Sequence, residues 1–122
     1  MINQLLTTAR LLERGLDTAQ LKNQTIAANI AHADTPGYKS QDVPFESVFS
    51  ELLESADWRD DINWNPQIVT RNDSSLRMDG NNVDIDREMT DLAKNQILFE
   101  ALTFATSREL GRLKLVINEG KG

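Results

Sequence analysis

Two runs of residues, one at each end of the chain, carry side chains at gaps that alternate between three and four, and no other feature limits the fold as strongly. The first passes through Ile2, Leu5, Ala9, Leu12, Leu16, Ala19, Asn23, Ile26 and Ile30. The second passes through Met89, Leu92, Gln96, Phe99, Thr103, Thr106, Leu110, Leu113 and Ile117. Alternating gaps lay one stripe of a helix against a partner helix, which is the seam of a coiled coil. At ~1.5 Å per residue each helix extends roughly 40 to 50 Å, so the two fit side by side as an elongated antiparallel hairpin. Leu5, Leu12, Leu16, Ile26 and Ile30 are the expected packing residues of one helix, and Met89, Leu92, Phe99, Leu110 and Leu113 those of the other. Asn23 either fixes register within the first seam or faces solvent where packing ends. The expected fold is mainly α, with two long N- and C-terminal helices in an antiparallel coiled-coil hairpin and a short helix plus a small irregular or β-hairpin segment in the middle. One domain spans 1–122: an N-terminal helix over 1–33, a turn, short helix and acidic middle segment over 34–84, and a C-terminal helix over 85–119.

The first helix must stop in the stretch IAANIAHADTPGYK, Ile26 to Lys39. Pro36 cannot donate a backbone hydrogen bond and pushes Thr35 out of the α region, while Gly37 accepts the positive φ of a turn. Asp34 and Thr35 add short side-chain bonds to such a turn. Ala27, Ala28, Ala31 and Ala33 give the helix end a small profile that another backbone can approach, and Asn29 and His32 add polar tips to it.

After the turn, Asp42-Val43-Pro44 reads as a helix start, with Asp42 as a cap and Pro44 near the first turn. Phe45, Val48, Phe49, Leu52, Leu53 and Ala56 follow at helical spacing, so a short amphipathic helix spans about 44 to 56. Two short strands are expected around Gln67 to Thr70 and Ser75 to Met78, joined as a hairpin through Arg71-Asn72-Asp73-Ser74, which has turn composition. Trp58 and Trp64 are large enough to serve as packing residues or as contacts for a neighbour. The last helix begins at Asp84 or Asp86, either of which caps an acidic first turn, and ends at Gly120. Its middle, ILFEALTFA, is apolar on more than one face, so Ile97, Leu98, Leu102 and Phe104 have more surface to hide than one partner helix covers.

Charge follows the same division. Residues 1–40, 41–91 and 92–122 carry net charges of +1, −9 and +2, which suits terminal helices packed among copies and a solvated middle. No apolar run approaches the length of a membrane span, and MINQLLTTARLLERG lacks the features of a cleaved secretory signal. Groups for enzymatic chemistry are scarce. His32 is the sole histidine and there is no cysteine, which leaves no Ser-His-Asp arrangement and no zinc site. The carboxylates Asp79, Asp84, Asp86 and Glu88 fail the calcium-loop template, because Asp84 stands where that loop needs glycine. No glycine-rich phosphate loop or basic-aromatic patch points to nucleotides or nucleic acid, and no cofactor is expected.

AANIAHADTPGYK resembles the N-terminal signature of the bacterial flagellar rod and hook axial protein family, in which a helix ends in an Asn-containing segment followed by Thr-Pro-Gly-Tyr. GNNVDIDREMTDLAKN, Gly80 to Asn95, is similar to the motif that opens the C-terminal helix in the proximal rod members. His32 departs mildly from the family pattern, which usually has Asn there. The resemblance points to Asn29, Ala31, Asp34, Thr35, Pro36, Gly37, Tyr38, Asn82, Asp84, Asp86 and Arg87 as motif residues of assembly. It implies a structural subunit of the proximal rod of the flagellar basal body, stacked helically through its terminal helices as part of the motility drive shaft. The implied location is the periplasmic rod, reached without a cleaved signal peptide. Implied partners are other rod subunits, further copies of itself, the rod-base adaptor FliE and, transiently, the flagellar type III export apparatus. Phe45 and Phe49 have the spacing of an export signal read by that apparatus, although any amphipathic helix supplies this spacing and packing against the long helices is the reading the residues favour; the two are compatible. The alternatives are another flagellar rod component or a non-flagellar coiled-coil adaptor, with an enzyme a distant third.

Overall fold

A computed structural model describes residues 2–54, 66–73 and 77–121. Trp58, Trp64, Ala56 and the start of the expected second strand at Ser75 lie outside the described residues. Helix α1, Ile2–Ala31, and helix α3, Ile85–Lys121, are the two long elements, about 45 and 55 Å at ~1.5 Å per residue. They pack antiparallel: Asn29 meets Glu88 at one end, Asn95 reaches the Ala19 carbonyl, and Gly15 lies against Leu102 further along. Between them come β1, Gln41–Asp42, helix α2, Phe45–Glu54, and β2, Val69–Thr70.

The packing faces differ from an all-apolar seam. On α1 the buried residues are Gly15, Thr18, Ala19, Thr25, Ile26 and Asn29, while Leu5, Leu12, Leu16 and Ile30 are half-buried, Ile2 is exposed and Asn23 faces solvent. Thr18 and Thr25 return their hydroxyls to the carbonyls of Arg14 and Leu21, both at 2.8 Å, so small residues close the interface without leaving a donor unpaired. On α3 the face turned toward α1 sits one residue ahead of the expected seam. Glu88 and Asn95 are buried and Leu92, Leu98, Leu102 and Leu113 half-buried, whereas Met89, Phe99, Leu110 and Ile117 lie on the outside. The expectation that Met89, Phe99 and Leu110 pack between the helices is corrected here. A template that counts only apolar residues cannot see that Glu88 and Asn95 set the rotation of the helix.

Three local expectations also change. β2 pairs antiparallel with β1, in the register Gln41 to Thr70 and Asp42 to Val69, rather than with the 75–78 stretch, where Met78 is a fully exposed turn residue. Asp42 sits in β1 and pairs with Lys22 and Arg71 instead of capping α2, whose first helical bond runs from the Val48 N–H to the Pro44 carbonyl. Gly120 does not stop α3, which continues to Lys121. Helix α2 folds back along the hairpin and buries Val48 and Leu52, with Phe49 and Leu102 both within 3.6 Å of where a Cβ on Gly15 would stand. Phe45 and Phe49 stack at 5.3 Å. No helix among the described residues is long and apolar enough to cross a membrane.

Candidate assembly joint

Where α1 ends and α3 begins, two sequence stretches separated by about half the chain interlock. The first supplies Asn29 and the second Asn81 and Asn82, and each asparagine does a different piece of backbone work.

Asn29, fully buried in the last turns of α1, behaves like a strand residue. Its Nδ2 donates to the Gln41 carbonyl at 2.7 Å and its Oδ1 accepts from the Gln41 N–H at 2.9 Å, so the side-chain amide pairs with both groups on the edge of β1 that β2 leaves open. The remaining capacity goes to the Glu88 carboxylate at 3.1 Å and to the Tyr38 hydroxyl, which donates at 3.2 Å. Asn82 works on the other edge. It accepts from the Ser40 N–H at 2.6 Å and donates to the Arg71 carbonyl at 3.0 Å, which bridges the two strands where a direct bond would otherwise lie. Asn81 braces the turn after α1: its Nδ2 donates to the carbonyls of His32 and Thr35 at 2.9 and 2.8 Å, each of which also accepts a backbone N–H of the turn. Its Oδ1 accepts from the Val83 N–H at 2.8 Å.

Glu88 is the charged centre, only 1% exposed. Its oxygens accept from the Ser40 hydroxyl at 2.9 Å, from Asn29, and from the Arg71 guanidinium at 3.4 Å. Arg71 also reaches Asp42 and Asp91, each at 3.5 Å, so one cation ties β1, β2 and α3 together. Burying a carboxylate is costly unless it is paired and hydrogen-bonded, and here both conditions hold. Tyr38 borders the cluster. Burial first, and the neighbouring Glu88 charge second, push its phenol above the usual tyrosine range.

The turn itself depends on two glycines. Gly37 and Gly80 have φ of 75° and 79°, the left-handed region that a side chain makes costly. They lie close: a Cβ built on Gly80 would stand 3.8 Å from the Gly37 Cα, and the Gly37 N–H donates to the Asp79 carbonyl at 2.8 Å. Arg77 Nη1 and Lys39 Nζ add bonds to the carbonyls of Ala33 and Gly80. His32 stacks on Tyr38 at 4.6 Å on the outside.

The motif residues therefore divide. Asn29, Gly37, Tyr38 and Asn82 form the network, and Asp84 caps α3 through bonds to the N–H groups of Asp86 and Arg87 at 3.0 and 3.3 Å. Ala31 is exposed at the last position of α1, and Asp34, Thr35 and Pro36 are exposed on the turn, Asp34 within 3.6 Å of Arg77. Asp86 and Arg87 are exposed in the first turn of α3, with Arg87 paired to Asp73 at 3.4 Å. Glu88, Arg71, Ser40 and Asn81 were missed as site residues. Two of them, Asn81 and Glu88, fall inside the Gly80 to Asn95 motif, but a Glu in a first turn reads as a partner of the helix dipole rather than as a buried group. Phe45 and Phe49 are half-buried against the hairpin, away from the joint. Among the described residues no group of three or more His, Cys, Asp or Glu is arranged to hold a metal ion.

A helical hairpin locked by polar bonds at one end and apolar on its outward side has the build of an assembly subunit. Comparison with known proteins agrees. The family described as Flagella basal body rod protein matches residues 10–39, which include the whole of the turn. Over 93% of this chain and 95% of the relative, the sequence is 40% identical to the flagellar basal body rod protein FlgB of Bacillus subtilis (strain 168). It is 32% identical to FlgB of Borrelia hermsii, over 88% of this chain and 93% of that one, and 26% identical to FlgB of Escherichia coli (strain K12), over 98% and 99%. The chain belongs to the FlgB family of flagellar basal body rod proteins.

Proposed function

We propose that this chain is a structural subunit of the flagellar basal body rod that enters the rod through α1 and α3, with the joint holding β1, β2 and α2 in a set direction beside them. Family membership supports the rod assignment, and one observation carries the mode of entry. Ile97, Phe104 and Leu115, 68, 66 and 62% exposed, align at helical spacing on the side of α3 turned away from α1, while Phe99, Leu110 and Ile117 are exposed along the flank of its packed face. Large apolar side chains exposed in such rows mark interaction faces. Neighbouring rod components cover them. On this reading many copies stack helically in the proximal rod, in the periplasm, next to the rod-base adaptor FliE. The chain passes the flagellar type III export apparatus unfolded, when Phe45 and Phe49 are free to be read, and the two rings pack on the hairpin afterwards.

Deletion of the gene from a motile strain that carries it tests the assignment. The expected result is loss of motility and absence of basal-body rods in purified envelopes, both restored by the intact chain. A motile deletion strain with complete basal bodies overturns it.

A further inference from the structure

Gly15 and Gly111 both sit inside long helices, where glycine costs about 1 kcal/mol relative to alanine. Gly15 has a reason inside the subunit, since a Cβ there would stand 3.4 Å from Leu102 and 3.5 Å from Phe49. Gly111 has none: nothing lies within 4 Å of where its Cβ would be. At 3.6 residues per turn Gly111 shares a line with Ile97, Ala101, Phe104, Arg108 and Leu115, on the side of α3 opposite the buried Glu88 and Asn95. The line is apolar with Arg108 on it, Glu100 flanks it near its start, and its C-terminal half is basic. Arg108 lies 6.0 Å from the Phe104 ring centroid, and Arg112 flanks the line, held to Glu109 at 3.0 Å.

Another surface of the same chain has the complementary character. Every ionisable residue of α2 is acidic, namely Glu46, Glu51 and Glu54, all exposed, and Leu53 is 58% exposed among them. The inner side of α2 is spent on the hairpin through Val48, Leu52 and Phe49. An acidic helix face with one projecting leucine complements an apolar, arginine-bearing helix face with a gap at a glycine.

We infer that the outward line of α3 from Ile97 to Leu115 docks the outward face of α2 from a second copy of this chain, with Leu53 approaching Gly111 and the α2 glutamates facing Arg108 and Arg112. The two surfaces are different, so the contact is heterologous, and a pair joined by one such contact keeps a free site of each kind from which further chains extend. The inference rests on the reading of the chain as a rod subunit and adds which faces meet.

Sedimentation of the purified full chain over a range of concentration and salt tests it. The parent chain associates in a concentration-dependent way, and raising salt from about 50 to 500 mM weakens this, because exposed charges lose reach as the Debye length shrinks. R108E/R112E and E51K/E54K each weaken self-association by about tenfold or more, and G111L does the same by filling the gap at Gly111. Mixing the two charge variants restores association, since one retains the acidic face and the other the basic one. Circular dichroism shows parent-like helicity for each variant, so loss of association is not loss of fold. A parent chain that stays monomeric at millimolar concentration overturns the inference, as does an E51K/E54K variant that associates like the parent, which would place α3 against α3. If instead the intact chain fails to restore rods in the deletion strain, the rod assignment falls, an outcome that is independent of the sedimentation result.

Discussion

The two ends of the hairpin are held by different physics. At the joint, side-chain amides bond to backbone at 2.6 to 3.4 Å, a buried carboxylate accepts from side chains at 2.9 to 3.4 Å, and small residues let the helices approach. Toward the free end Leu5, Leu12, Leu16, Leu102 and Leu113 are only half-buried, and Phe104, Leu110, Leu115 and Ile117 face outward. Hydrogen bonds are directional and fix one geometry, whereas apolar contact is roughly proportional to area and accepts many partners. One end specifies shape within the subunit; the other keeps surface in reserve for its neighbours.

This contrast makes predictions of graded size. Asn29→Ala removes four hydrogen bonds and leaves Glu88 and the Gln41 backbone short of partners in a buried site, so urea unfolding should show a loss of about 3 to 5 kcal/mol. A loss below about 1 kcal/mol would break the contrast, because the joint would then be no firmer than an exposed surface. Gly37→Ala forces a side chain into the left-handed region, and the same measurement should show about 1 to 2 kcal/mol. Tyr38 adds a pH dependence. Its folded value lies above the unfolded value, so the folded state keeps the phenolic proton where the unfolded chain has lost it. Its contribution is whole below about pH 10 and fades as pH rises through the folded value, and Tyr38→Phe should remove that alkaline slope from a stability titration.

Smaller effects belong to the free end. Gly111→Ala should stabilise the dilute monomer by about 0.5 to 1 kcal/mol, as helix propensity dictates where nothing is crowded. Phe104→Ser should change monomer stability by no more than about 0.5 kcal/mol while lowering assembly. A large monomer loss at Phe104 would show that the outward face is core after all.

Legibility from sequence follows the same divide. The turn at Thr35-Pro36-Gly37 is readable because proline and glycine act locally, and both long helices are readable because their periods persist over many turns. The rotation of α3 is not, since it depends on Glu88 and Asn95 being buried, and those residues count as surface in any scheme based on hydrophobicity. The strand at Val69–Thr70 is legible but its partner is not, for a related reason. β1 is joined to it through Ser40 and Asn82, which are distant from it in sequence, while the expected hairpin rests on the turn composition of Arg71-Asn72-Asp73-Ser74. Asn29 reads as a polar tip, and nothing local reveals that its amide faces a strand.

That amide also makes the joint sensitive to angle. A helix turns about 100° with each residue, so Asn29 meets Gln41 at only one rotational setting of α1. The bond pair acts as an indexing pin: whatever orientation α1 takes among its neighbours is transmitted to β1, and through Arg71 to β2. Inserting one residue between Ile26 and Asn29 would leave the helix intact and turn the pin away from its slot, so the appendage would lose its bearing while the shaft kept its length.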